Sequence, residues 1–118
     1  MIIPSQTEAP AIQEKSTLNS KDLKGFLKEV SLQYGQNYEM MTAVIQCEST
    51  WGVTAYNEDD EKFVPGGSFG IAQFTIPTFE ENCSGDYKDP LDQLSCMGLL
   101  WKRGEQKRWM CYRKLFGN

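Results

Sequence analysis

The chain has 118 residues, four cysteines, no histidine and a net charge of −4. This length is sufficient for one domain with a hydrophobic core. The acidic balance argues against nucleic-acid binding, because such proteins usually carry a basic patch. The lack of histidine excludes Ser-His-Asp and Cys-His catalysis and histidine-ligated metals, so acid–base chemistry falls to Asp, Glu, Tyr, Lys or Cys. We expect no metal and no cofactor.

Residues 1–18 are polar, contain two prolines and show no hydrophobic periodicity. We interpret them as a flexible tail or linker, and residues 19–118 as one domain. No apolar run approaches the roughly 20 residues of a membrane-spanning helix. The first ten residues are too polar for the core of a signal peptide, so we expect that any leader preceded Met1.

Two helices are predicted next. Apolar residues recur every three or four positions over residues 23–34, and Gly35 is typical of a helix end. Asn37 is a typical N-cap for a second helix over about 38–50. Gly52 is expected to close that second helix.

Glu48 ends the apolar stripe of this second helix. Residues three or four apart are neighbours on a helix surface, so Met41, Val44, Ile45 and Glu48 share one face. An apolar wall made by these side chains and Trp51 would disfavour the ionised carboxyl group and raise its pKa. Glu48 is therefore the candidate general acid. The alternative is an exposed helix-end glutamate with no chemical role.

The segment after this helix changes character. Residues 53–69 are rich in Gly, Asp and Asn and lack a helical stripe, which indicates a loop or small hairpin. The GIAQF segment, residues 70–74, is expected to begin a short helix. Thr75 is the predicted N-cap of a helix over about 76–82, with Pro77 in its first turn.

Two further helices are predicted from Asp89 onwards. Asp89 and Asp92 give the first of them a start like a capping box, and Gly104 follows its last turn. The basic run Lys102–Arg108 is interpreted as a solvated helix end, and a last short helix carries Trp109. The predicted fold is a single, mainly α domain of the α+β type with about five or six helices.

The cysteines do not form a C-x-x-C pair, so neither a zinc site nor a thioredoxin-type motif is expected. An even count in a small chain favours two disulfides and an oxidising compartment. The alternative is four buried free thiols. The spacing leaves all three disulfide connectivities open for Cys47, Cys83, Cys96 and Cys111.

An ordered set of motifs resembles the lysozyme superfamily. Glu48-Ser49 at a helix end is followed by Gly70–Gln73 and then by the Thr78-Phe79 step. The set resembles the catalytic domains of soluble lytic transglycosylases and, in finer detail, those of the resuscitation-promoting factors. The latter share Gln-Cys-Glu-Ser, Gly-x-x-Gln-Phe-Thr and a Trp closely followed by Cys. These motifs correspond here to residues 46–49, 70–75 and 109–111, and the resemblance covers about residues 22–112.

The resemblance implies a lysozyme-like fold and cleavage of peptidoglycan strands between N-acetylmuramic acid and N-acetylglucosamine. Glu48 is implied as the acid and then the base of a lytic transglycosylase, in which the muramic acid's 6-hydroxyl closes a 1,6-anhydro ring. The resemblance also implies the disulfide Cys47–Cys111, with Cys83–Cys96 as the remaining pair. We expect a secreted, periplasmic or cell-wall-associated monomer.

Further side chains are candidates for binding the glycan. The Gln73 amide can hold a sugar N-acetyl or hydroxyl group, with helix capping as the alternative. Ser49 either orients Glu48 or caps the helix. Aromatic rings can stack on sugar rings, although such rings more often belong to a core. The aromatic candidates are Tyr56, Phe69, Phe74 and Trp51.

Many transglycosylases carry an Ala-Tyr-Asn-type motif near the end of the domain, and no such motif is found near the end of this chain, so other functions stay open. A hydrolysing muramidase needs a second carboxylate. The candidates are Glu58, Asp59, Asp60 and Glu61, of which Asp59 and Asp60 are preferred. A solvated acidic loop is the alternative interpretation of these residues. A catalytically silent peptidoglycan-binding domain and a secreted helical effector without a glycan role are the two non-enzymatic alternatives.

Overall fold

A computed structural model of the chain describes residues 18–58 and 66–117. Within them lie five α-helices, one 3-10 helix and a small antiparallel sheet, so the mainly α prediction is confirmed. The helices are α1 (Ser20–Tyr34), α2 (Tyr38–Ser49), α3 (Ile76–Asn82), α4 (Pro90–Lys102) and α5 (Met110–Phe116). The 3-10 helix covers Gln106–Arg108, and the strands are β1 (Tyr56–Asn57), β2 (Ser68–Phe69) and β3 (Phe74–Thr75).

Most helix starts follow the predicted caps. The side chains of Asn37, Thr75 and Asp89 each accept a backbone N–H in the first turn of the helix that follows. These bonds satisfy donors that a helix start otherwise leaves without a partner. Asp92 is an exception to the predicted capping box, because its carboxylate accepts the backbone N–H of Asp86 at 2.9 Å.

Helix α2 ends at Ser49, within one residue of the predicted bound, but the residue that closes it is Thr50 instead of Gly52. Thr50 and Trp51 have φ angles of 53° and 63°, which lie in the left-handed region and stop the helix. Two consecutive non-glycine residues in this region are strained. The chain therefore turns sharply within two residues of Glu48 and runs into the sheet.

The prediction that the GIAQF segment begins a helix is wrong, because residues 70–73 form a turn between β2 and β3. The turn is bound by Gln93, which is 1% exposed. Its Oε1 accepts the N–H of Ala72 at 3.0 Å, and its Nε2 donates to the carbonyls of Phe69 at 3.0 Å and Tyr87 at 2.8 Å. A distant side chain on α4 thus replaces the hydrogen bonds of a local helix.

The hydrophobic core lies where α1 packs against α2 and α4. Gly98 on α4 permits the close approach of α1, since a Cβ there would clash with Val30 and would lie 2.6 Å from Cδ2 of Tyr34. The fully buried side chains of the core include Leu23, Leu27, Met41, Val44, Ile45, Leu94, Met97 and Leu100.

We expect Gly98→Ala to lower the free energy of unfolding by about 1–3 kcal/mol through overpacking against Val30. This loss is expected even though Ala favours a helix interior over Gly by about 1 kcal/mol. Gly25 on α1 is the matched control, because a Cβ there meets nothing within 4 Å. Gly25→Ala should therefore raise the thermal midpoint, and a Gly98→Ala protein that melts at or above the wild type would contradict the prediction.

Two disulfides connect the helices. Cys47 in the last turn of α2 is bonded to Cys111 in the first turn of α5, with their Cα atoms 6.0 Å apart. Cys83 is bonded to Cys96 on α4, with a Cα–Cα distance of 5.5 Å. This is the connectivity that the resemblance implies, and no cysteine is left as a free thiol. Two disulfides indicate an oxidising, extracytoplasmic environment.

Candidate active site

Glu48 is half-buried in the last turn of α2, directly above a fully buried stripe of that helix. Its Oε2 accepts the backbone N–H of Cys111 at 3.0 Å. The neighbouring residue, Cys47, is bonded covalently to the same Cys111. The disulfide and the hydrogen bond therefore both fix the end of α2, and the Glu48 carboxyl group with it, against the start of α5.

A cleft of about 230 Å³ opens beside this carboxyl group. Phe74, Trp109 and Met110 supply apolar surface to it, and short polar side chains come from the sheet and α3. The described lining residues are Glu48, Asn57, Ser68, Gln73, Phe74, Thr75, Thr78, Arg108, Trp109, Met110 and Arg113. A carboxyl group, polar side chains and two guanidinium groups thus share one concave surface, which is the usual setting of a small binding or catalytic site.

The apolar surroundings of Glu48 differ from the predicted wall. Met41, Val44 and Ile45 are 0% exposed and form the core below it. Trp51 is not among the cleft residues, and the ammonium group of Lys24 lies 5.3 Å from its ring centroid. The apolar side chains that line the cleft with Glu48 come instead from β3 and from the start of α5.

Gln73 lines the same cleft, in the turn before β3. Its Nε2 donates to the carbonyls of Ala55 at 3.0 Å and Gly70 at 2.9 Å. These bonds hold Gln73 in a left-handed conformation with a φ of 54°. An amide group has two N–H donors and one acceptor oxygen, so the group that Gln73 brings to a ligand is its acceptor Oε1.

Ser49 and Phe74, two of the predicted binding residues, make contacts with other residues of the chain. The Ser49 hydroxyl donates to the carbonyl of Ile71 at 2.7 Å, which fastens the end of α2 to the turn that carries Gln73. The Phe74 side chain is 3% exposed and packs edge-on against Phe79 and Trp109, with ring centroids 5.5 and 5.6 Å away. Phe74 thus supports the cleft from the core, and Ser49 does not line it.

Tyr56 and Phe69 lie apart from the Glu48 cleft. They are paired across β1 and β2 and line a separate hollow together with Tyr87. Successive side chains of a strand point to opposite faces of a sheet. The next residue pair, Asn57 and Ser68, accordingly lines the cleft.

Several cleft residues were not predicted from the sequence, and the arginines are the most important of them. Arg108 belongs to the basic run interpreted as a solvated helix end, yet it lines the cleft together with Arg113. The Nε of Arg108 lies 2.6 Å from a carboxylate oxygen of Glu105, and the Nε of Arg103 lies 2.9 Å from the other. The hydrogen bond from Arg108 is the main reason why the pKa of Glu105 is lowered. No local sequence pattern distinguishes a solvated arginine from one at a cleft.

Of the candidate second carboxylates, Asp59, Asp60 and Glu61 lie outside the described residues, and Glu58 is not among the described residues that line the cleft. Within residues 18–58 and 66–117, no group of three or more His, Cys, Asp or Glu side chains is placed to hold a metal ion. No helix in the same ranges combines the length and apolar character that crossing a membrane requires.

Comparisons of the chain with protein-family models, curated proteins and solved structures gave no match.

Proposed function

We propose that this protein cleaves the glycan strands of peptidoglycan between N-acetylmuramic acid and N-acetylglucosamine, as a lytic transglycosylase. The observation that carries the proposal is the position of Glu48, half-buried at a cleft and held at Oε2 by the N–H of Cys111. The resemblance to lysozyme-like enzymes gives separate support. Gln73, the last residue of the second motif (Gly70–Gln73), lines the same cleft as Glu48.

In the proposed reaction Glu48 first acts as an acid. Its proton, carried on Oε1, passes to the oxygen of the scissile bond, and the bond from that oxygen to C1 of the muramic acid breaks. The Glu48 carboxylate then takes the proton of the muramic acid's own 6-hydroxyl as this oxygen bonds to C1. The products are a 1,6-anhydro end and a free glucosamine 4-hydroxyl, and Glu48 ends in its acid form without consuming water.

The resemblance favours this mechanism over hydrolysis, because the families that use a single carboxyl group are the closer match. Inverting and retaining glycosidases usually place two carboxyl groups on opposite sides of the scissile bond. Of the lining residues that the structure describes, Glu48 alone carries a carboxyl group. A transglycosylase needs one carboxyl group because the substrate supplies its own nucleophile.

The proposed location is the cell wall, reached as a secreted or periplasmic monomer. Cell-wall glycan is found outside the cytoplasm, in the environment that the two disulfides indicate. The net charge of −4 provides little general attraction to an anionic wall. Recognition therefore has to come from the cleft or from a partner.

The direct test is mass spectrometry of the fragments released from purified peptidoglycan by the disulfide-bonded protein. The expected products are muropeptides with 1,6-anhydromuramic ends, each one water lighter than its hydrolysed counterpart. Reducing ends would instead indicate a muramidase and direct mutagenesis to Asp59 and Asp60. If no fragments are released from several wall types, the enzymatic proposal fails and a binding domain replaces it.

A further inference from the structure

We propose that Arg108 and Arg113 make this cleft selective for glycan that carries a carboxylate on its muramic acid residues. The inference rests on the proposed function and adds a specificity to it. Its starting point is a contrast in charge: the whole chain has a net charge of −4, whereas the described cleft lining carries two arginines and one glutamate.

This contrast in charge is larger when Glu48 is protonated, as the proposed acid must be. The proposed acid is neutral before it donates its proton, so the charged side chains that then remain among the described lining residues are the two arginines. Glycan recognition by itself requires no charge, because sugar hydroxyl and N-acetyl groups are neutral. Two guanidinium groups beside a neutral acid are therefore suited to a substrate that brings an anion.

The arginines are connected to the same short segment of chain. Arg108 is in the 3-10 helix, and a terminal nitrogen of Arg113 on α5 donates to the carbonyl of Lys107 in that helix. The two guanidinium groups thus belong to neighbouring, hydrogen-bonded segments along the cleft lining. A carboxylate is a good partner for such a pair, since planar guanidinium groups bind its two oxygens with directed hydrogen bonds.

Glu105 orients Arg108 without cancelling the positive charge. Its carboxylate is shared by Arg108 at 2.6 Å and Arg103 at 2.9 Å, so this group of three side chains retains one positive charge. A guanidinium has five N–H donors, and the bond to Glu105 uses the Nε–H of Arg108. Its terminal NH₂ groups are the donors suited to a ligand.

Peptidoglycan has two sources of a suitable carboxylate. The muramic acid's lactyl group ends in a free carboxylate when no peptide is attached, and the stem peptide has its own carboxylates when it is present. Both sources distinguish peptidoglycan from a neutral glucosamine polymer. The proposed specificity is for this shared carboxylate chemistry.

The test measures binding of glycan strands to the Glu48→Gln protein by calorimetry, so that the strands are not cut. Three probes are compared: strands freed of peptide by an amidase, the same strands with their carboxylates converted to amides, and peptide-bearing strands. Arg108→Gln and Arg113→Gln are each expected to weaken binding of carboxylate-bearing strands by about fivefold, as for a partly exposed charged pair. Arg103→Gln is the matched control, because Arg103 shares Glu105 but does not line the cleft.

Amidated strands should bind the Glu48→Gln protein about as weakly as native strands bind the same protein with an arginine replaced. When the strands are amidated, replacing Arg108 or Arg113 should not weaken binding further. An arginine effect confined to peptide-bearing strands would identify the stem peptide as the source. Equal binding of native and amidated strands, or no binding of any strand, would overturn the inference. If the wild type cleaves native and amidated strands at the same rate, the inference about the arginines is overturned but the proposed function stands. If the wild type cleaves neither kind of strand, the proposed function itself is rejected.

Discussion

Replacing Glu48 by Gln is expected to slow the release of peptidoglycan fragments by about 100- to 10,000-fold, the usual contribution of a general acid–base group. A glutamine side chain has nearly the same shape and its oxygen still accepts the N–H of Cys111, but it has no proton to donate at neutral pH. Fragment release over time measures the effect, and thermal unfolding monitored by circular dichroism verifies that the fold is retained.

Glu39 provides the matched control for this substitution. It lies in the first turn of the same helix and is exposed to solvent. Glu39→Gln removes the same charge from α2 and is expected to leave the cleavage rate within about twofold of the wild type, since exposed substitutions away from a site have small effects. A Glu48→Gln protein that releases fragments as fast as the Glu39→Gln protein would reject Glu48 as the acid.

Replacing Gln93 by Met is expected to lower the free energy of unfolding by about 3–4 kcal/mol. Methionine is similar in size, but it leaves the Ala72 N–H and the carbonyls of Phe69 and Tyr87 without the partners they have in the structure. Each buried polar group that loses its partner costs about 1–3 kcal/mol, and the bonds to the Phe69 and Tyr87 carbonyls are only partly buried, so all three groups are counted near the lower value. Urea denaturation measures the loss. The slope of the unfolding free energy against urea concentration is fitted as one value for all variants.

Gln33→Met is the control for this change, because Gln33 is an exposed residue of α1 and its replacement should alter stability by less than about 0.5 kcal/mol. The Gln93 variant should also bind glycan more weakly, since its hydrogen bonds hold the turn in which Gln73 lies. A Gln93→Met protein as stable as the Gln33→Met protein would show that the turn is held by other contacts, for example the indole N–H of Trp109, which donates to the Ala72 carbonyl at 2.8 Å.

The parts of the fold that follow from short-range chemistry are predictable from the sequence. A cap at Asn37, Thr75 or Asp89 depends on a side chain and a backbone N–H two or three residues later. The position of Glu48 at the end of a buried stripe likewise follows from the spacing of helical residues. These features need no knowledge of the rest of the chain.

The features that the sequence could not predict depend on distant residues. The GIAQF segment forms a turn because Gln93, about twenty residues later, binds its backbone. Tyr56 and Phe69 lie apart from the Glu48 cleft because strand pairing assigns them to the other side of the sheet. Arg108 reaches the cleft through the path of the chain after α4, which its neighbours in sequence do not reveal.

The bond between the Cys111 N–H and Glu48 has a consequence for when the proposed activity can begin. Glu48 is synthesised early, but its hydrogen-bond donor and its covalent anchor both come from a residue more than sixty positions later. A nascent chain that extends only through the sheet therefore has the acid without the group that orients it. A reduced chain that includes Cys111 has the N–H donor but lacks the covalent anchor. Glu48 is thus held as the structure shows only after synthesis has passed Cys111 and the Cys47–Cys111 pair has been oxidised, and oxidation of such a pair belongs to an oxidising compartment.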